Sequence, residues 1–220
     1  MNTPESNIWQ VNLENMVRYY RAVNGDICFN IMFQDLNITN SANPHAADAV
    51  MDFMKAEWDA YMKEMEEEIR YAVEGFCRGA GYFIHSEYRT EETEGYLNII
   101  QYVSTYFGGV HSERMRFAYV FDSEGKNIKF RELVKDEQKA KAAIIEELRK
   151  QIRKLDIQGY IFTGLDYDKV LQRLLSDEAR SWYLKEEGLD FYVPAYMIAP
   201  GAAGDFEFFV PYNWKMADKI

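Results

Sequence analysis

Between Ile8 and Phe33 apolar and polar residues alternate almost without a break, and this period of two constrains the chain more than any other feature it carries. Trp9, Val11, Leu13, Val17 and Tyr19 fall on one side; Gln10, Asn12, Glu14 and Arg18 fall on the other. The pattern, running on to Val23, predicts a half-buried strand. After the Asn24-Gly25 pair, Ile27, Phe29, Ile31 and Phe33 resume the alternation. Asn-Gly supplies the positive φ angles of a type I′ turn, so the two runs form a long hairpin. Such a hairpin needs an apolar layer across its buried side.

The next segment provides that layer. Asn43-Pro44 reads as an N-cap followed by proline at the first helical position. Met51, Met54, Trp58, Met62, Met65, Ile69, Val73 and Phe76 then recur at helical spacing, predicting one helix of about eight turns ended by Gly75, Gly79 and Gly81. Its other side, with Glu64, Glu66, Glu67 and Glu68, reads as a solvated face. Strands over Tyr82–Glu92 and Tyr96–Phe107 make a second hairpin around Thr93-Glu94-Gly95. A third runs from Met115, Phe117, Tyr119 and Phe121 through Ser123-Glu124-Gly125-Lys126 into Ile128 and Phe130.

Two helices follow. Asp136 caps one holding Ala140, Ile144, Leu148, Ile152 and Leu155, and Asp166 or Asp168 caps a shorter one holding Val170, Leu171, Leu174 and Leu175. Strand alternation returns at Leu189, Phe191 and Val193 and at Phe206, Phe208 and Val210, on either side of a proline- and glycine-rich loop. The fold class expected is therefore α+β: antiparallel sheet hairpins with one long helix in the first half and two helices in the second. They should pack as two closely associated units with a continuous or shared sheet.

Composition narrows the function. The 220 residues include 25 Lys+Arg and 36 Asp+Glu, a net charge of −11 that argues against a nucleic-acid surface, whose affinity comes from basic side chains. No apolar run approaches the roughly 20 residues that cross a bilayer. The opening residues MNTPESNIW have neither a basic n-region nor an apolar h-region, so no signal peptide is expected in this sequence. Cys28 and Cys77 allow at most one disulfide; two unpaired thiols acting as small hydrophobes is the plainer expectation. His45, His85 and His111 have no metal-ligand spacing, so neither a metal nor a cofactor is expected. Of 16 Tyr, 14 Phe and 4 Trp, most fall on alternating strand positions and describe a sheet core, which leaves Tyr196 on its loop to be explained.

Three segments together resemble a known family. They are Tyr106-Phe107-Gly108-Gly109-Val110-His111-Ser112, the Phe-Asp-Ser-Glu-Gly-Lys turn at 121–126, and Leu189-Asp190-Phe191-Tyr192-Val193-Pro194-Ala195-Tyr196-Met197-Ile198-Ala199-Pro200-Gly201. With Trp182 to Leu189, Gly204 and the closing Phe209-Val210-Pro211-Tyr212, they resemble the RsiV-type domain of unknown function. That domain is found in the ectodomains of lysozyme-sensing anti-sigma-V factors. The first half is similar to the module that usually precedes it, named after the N-terminal region of the peptidoglycan deacetylase PdaC. The resemblance runs from about Ile8 to Tyr212. It implies a PdaC N-terminal-like module at 8–107, an RsiV-type domain at 108–213, and an extracytoplasmic habit, secreted or membrane-tethered. It does not imply deacetylase activity, because that catalytic domain is a separate segment.

The residues nominate two loops for binding. His111 and Ser112 follow two glycines at a strand junction; catalysis would need a nucleophile and an orienting carboxylate, and although Ser112 is adjacent, neighbouring side chains on an extended chain point apart. Pro194, Tyr196 and Met197 sit on a loop stiffened by proline and bent at Gly201 and Gly204; an exposed tyrosine there offers contact area at low entropic cost. The function expected is a non-enzymatic binding or sensor domain for a cell-envelope protein or glycan, its boldest version a basic lysozyme steered by the acidic surface. The competing expectations are a cell-wall hydrolase with His111 as base and a structural self-association domain.

Overall fold

The computed structural model describes residues 8–21, 25–75, 81–156, 159, 161–162, 166–176, 178–194 and 196–211. Expectations placed on Val23, Asn24, Phe76, Cys77, Gly79 and Tyr212 lie outside these residues. Eight strands form two sheets: β1 Trp9–Arg21, β2 Ile27–Asn40, β3 Tyr82–Thr93, β4 Tyr96–Tyr106 and β5 Glu113–Phe121 in the first, and β6 Trp182–Lys185, β7 Gly188–Val193 and β8 Phe206–Pro211 in the second. The helices are α1 Pro44–Glu64, α2 Glu66–Gly75, α3 Phe130–Leu133, α4 Glu137–Asp156 and α5 Tyr167–Leu174. The α+β class holds, and strand order in each sheet follows chain order.

Three layers result. Phe29, Ile31, Ile84, Ile99, Val103, Tyr119 and Phe121 pack under α1 and α2 through Val50, Met54, Ile69 and Ala72. On the other face, Ile100, Ala118 and Val120 meet the second sheet and α4 through Trp182, Leu184, Phe191, Ile144 and Leu148. Asn98, fully buried, joins the sheets as a backbone amide would: its Oδ1 accepts from Leu184 N at 3.0 Å and its Nδ2 donates to Leu184 O at 3.3 Å. Buried polar groups are stable only when paired in this way.

The expected caps are present at α4, where Asp136 Oδ1 accepts from Lys139 N at 3.0 Å, and at α5, where Asp166 accepts from Lys169 N at 3.2 Å. Asn43 is the N-cap of α1 with Pro44 beginning the helix, but its side chain donates to Glu124 instead of capping. The predicted single long helix is two, interrupted at Met65, with hydrogen bonding carried across by Met65 N to Tyr61 O and Ile69 N to Met65 O.

Four other expectations are corrected. The sheets are not wholly antiparallel: β2 and β3 run parallel over Phe29–Phe33, because the α1–α2 crossover returns the chain to the same end of the sheet. The third hairpin shrinks to an isolated bridge between Phe121 and Asn127, and Phe130 opens α3 with its ring in the core. Along β1 the helix-facing side passes from Trp9 and Val11 to Tyr20, leaving Val17 and Tyr19 exposed. Beyond Phe33, β2 leaves β3 and pairs with β1 alone, and two-stranded ribbons twist most strongly. Finally, Cys28 is not a free thiol but is disulfide-bonded, and the chain's one other cysteine is Cys77.

Candidate functional site

The two nominated loops meet. Gly108 and Gly109, at φ 100° and 110°, fold the chain back after β4 in a conformation a side chain would oppose, and Tyr106 Oη closes the turn on Gly109 O at 3.1 Å. This presents Val110 fully exposed and His111 beside it. The second loop leaves β7 at Pro194. It is anchored by the fully buried Ile198 and Ala199, by Ile198 O accepting from Phe162 N at 2.9 Å, and by Tyr196 N donating to Ala199 O at 3.1 Å. Tyr196 itself takes φ 68°, which costs a non-glycine residue on the order of 1 kcal/mol and persists only when the surroundings impose it.

The Tyr196 hydroxyl lies 2.8 Å from His111 Nε2, and the two rings stack at 5.9 Å between centroids and 19° between planes. His111 Nδ1 is 3.2 Å from Ser112 O, which can only accept; in the neutral imidazole Nδ1 therefore carries the proton and Nε2 accepts from the Tyr196 hydroxyl. Both ring nitrogens are engaged. The tyrosine ring lies over Gly201, where a Cβ would fall 2.1 Å from its Cζ. Tyr196 nevertheless remains 58% exposed, so the contact fixes the loop without hiding it.

Pro194 and Met197 do not share that outer surface. They line a neighbouring cavity of about 290 Å³ with Met115, Phe117, Leu174 and Tyr192. Ser112 is half-buried and contributes its carbonyl to His111. Of the five nominated residues, His111, Ser112 and Tyr196 thus form one contact, and Pro194 and Met197 line the cavity beside it.

Arg116, which also lines the cavity, was not nominated. Its side chain is 2% exposed, pairs with Glu207 through Nη1, and stacks on Tyr192 at 4.4 Å and Tyr183 at 5.4 Å. Among the described residues Nε and Nη2 have no hydrogen-bond partner. Burial raises the pKa of both tyrosines, helped by Asp190 at Tyr183 and Asp205 at Tyr192. In sequence Arg114 and Arg116 read as the solvated side of a strand; only the second sheet lying over β5 makes that side interior. Among the described residues no three His, Cys, Asp or Glu side chains gather as a metal site, and no helix is long and apolar enough to cross a membrane.

The fold and this site define a class: a three-layer α+β domain whose central sheet presents a stapled loop pair at one end. Residues 131–213, from within α3 to past β8, match the family described as a protein of unknown function, DUF3298. The matched segment contains Tyr196 but not His111, so the hydroxyl–imidazole contact ties it to the preceding sheet. The crystal structure of a DUF3298 member from Bacteroides fragilis is similar with a TM-score of 0.62 at 14% identity, covering 94% of this chain and 92% of that one. A DUF3298 family protein from Pseudomonas aeruginosa gives 0.59 at 15% identity, covering 92% and 90%. These likenesses establish a shared fold over nearly the whole chain. No curated protein matches it.

Proposed function

We propose that this protein is a non-enzymatic extracytoplasmic binding or sensor domain that recognises a protein or glycan of the cell envelope, in its most specific form a basic lysozyme. In finer terms, 8–107 is read as the PdaC N-terminal-like module and 108–213 as the RsiV-type domain. The observation that carries the reading is the His111–Tyr196 contact: it holds two loops from different layers in one arrangement while leaving Val110 and Tyr196 open to a partner. Rigid aromatic anchors on stiff loops lose little entropy on binding.

Other features support the same reading. With both nitrogens of His111 occupied by a tyrosine and a carbonyl, the imidazole has no carboxylate to orient it as a base. The disulfide at Cys28 suits an oxidising compartment. The net charge of −11 would draw a cationic partner and make association sensitive to salt. Calorimetric titration with a basic lysozyme should give saturable binding that weakens as salt rises. Absence of binding at low ionic strength would remove the lysozyme version, and parallel titration with soluble cell-wall fragments tests the glycan alternative.

A further inference from the structure

We propose that β1 is the contact between two copies of this chain, joined antiparallel about a two-fold axis in the register that sets Glu14 of each copy opposite Arg18 of the other. The strand is the free edge of the first sheet, at the far side from β5, so this goes beyond the loop surface and does not depend on it. Thirteen residues long, it pairs among the described residues on one side only and exposes Leu13, Met16, Val17 and Tyr19. A long edge with apolar side chains is a template for another strand unless charge or proline blocks it, and β1 contains no proline.

The charges on β1 are what select a second copy. Glu14 and Arg18 are exposed and, among the described residues, neither has an ion-pair or hydrogen-bond partner. Within the chain Glu14 stands directly opposite Asp35 of β2, an unfavourable juxtaposition that a cation on the open side would relieve. Antiparallel pairing about Met16 places Arg18 of each copy opposite Glu14 of the other, twice by symmetry. The same register sets Leu13 opposite Tyr19 on the other face, a favourable aliphatic–aromatic pair. Sliding by one residue in each chain breaks the match: centred on Asn15, Glu14 faces Met16, and centred on Val17 it faces Tyr20. Only the Met16-centred register is self-complementary in charge.

The test is charge reversal, read by sedimentation velocity with circular dichroism to check folding. The wild-type chain should sediment as a dimer, Glu14→Arg and Arg18→Glu should each sediment as monomers, and their equimolar mixture should re-form a dimer. In the mixture both cross-strand pairs again join opposite charges, which a general loss of structure could not produce. A monomeric wild-type chain, variants that remain dimeric, or a mixture that stays monomeric would each overturn the proposal.

Discussion

Tyr196 and His111 are 85 residues apart in sequence and 2.8 Å apart in space, and their contact joins the two loops nominated by sequence into a single surface. An exposed hydrogen bond contributes on the order of 0.5–1 kcal/mol. Tyr196→Phe should therefore change global stability by no more than about 1 kcal/mol while altering the imidazole nitrogen shifts of His111 in NMR. Unchanged shifts would mean that the contact does not form in solution.

Gly201→Ala should reproduce that effect from the other side of the ring. A Cβ there meets the far end of an exposed tyrosine, which can swing away cheaply. The expected result is a thermal midpoint close to wild type together with the same perturbed His111 resonances. A large loss of stability instead would show that the ring is fixed more firmly than its exposure implies.

Asn98→Ala removes a side chain that bonds both the N–H and the C=O of Leu184. The Leu184 N–H loses its partner while Leu184 O keeps the bond from the Thr93 hydroxyl at 3.4 Å, so a loss of about 1–3 kcal/mol is expected in denaturant unfolding. That substitution should be far more damaging than either loop change, because it acts where the two sheets are joined.

Much of the architecture was legible because local chemistry and tertiary packing agree. The caps at Asp136 and Asp166, the hairpins around Gly25 and Gly95, and the buried stripes of α1 and α4 all follow from period and turn residues. Disagreement appears where a distant element sets the environment. Arg116 occupies an alternating polar position, but its side becomes interior only because the second sheet covers it. Phe130 is the reverse case: its apolar ring fits a strand or a helix equally, and the short α3 is chosen by the pocket it fills beside Trp182. The parallel β2–β3 pairing depends on where the crossover delivers the chain, which no local window records. His111 and Tyr196 were recognisable as loop residues, but their contact spans two layers and has no sequence period.

Arg116 and Glu207 should respond asymmetrically. Glu207→Ala leaves a guanidinium buried without its carboxylate and should cost on the order of 2 kcal/mol, less than a wholly buried pair because Glu207 is 59% exposed. Adding Arg116→Met removes the stranded charge and should recover part of that loss. A double variant less stable than the sum of the singles would contradict this assignment.

Alkaline pH should weaken the fold. Burial first, and nearby carboxylates second, push Tyr61 up to about 12, and burial does the same for Tyr88. Both are neutral in the native state over a range where the unfolded chain has lost the proton, so their contribution is full below the ordinary value of 10.0 and is lost as pH rises towards about 12. The thermal midpoint should fall across that window, tracked by circular dichroism alongside phenolate absorbance.

If the loop pair held by His111 and Tyr196 is the binding surface, a partner should leave its footprint there. The most direct measurement is an NMR titration of the labelled protein with a basic lysozyme at low ionic strength, followed residue by residue. Saturable shift changes should be concentrated in residues 108–112 and 196–201 and be reversed by added salt. A footprint elsewhere on the molecule, or no change at any lysozyme concentration, would contradict it.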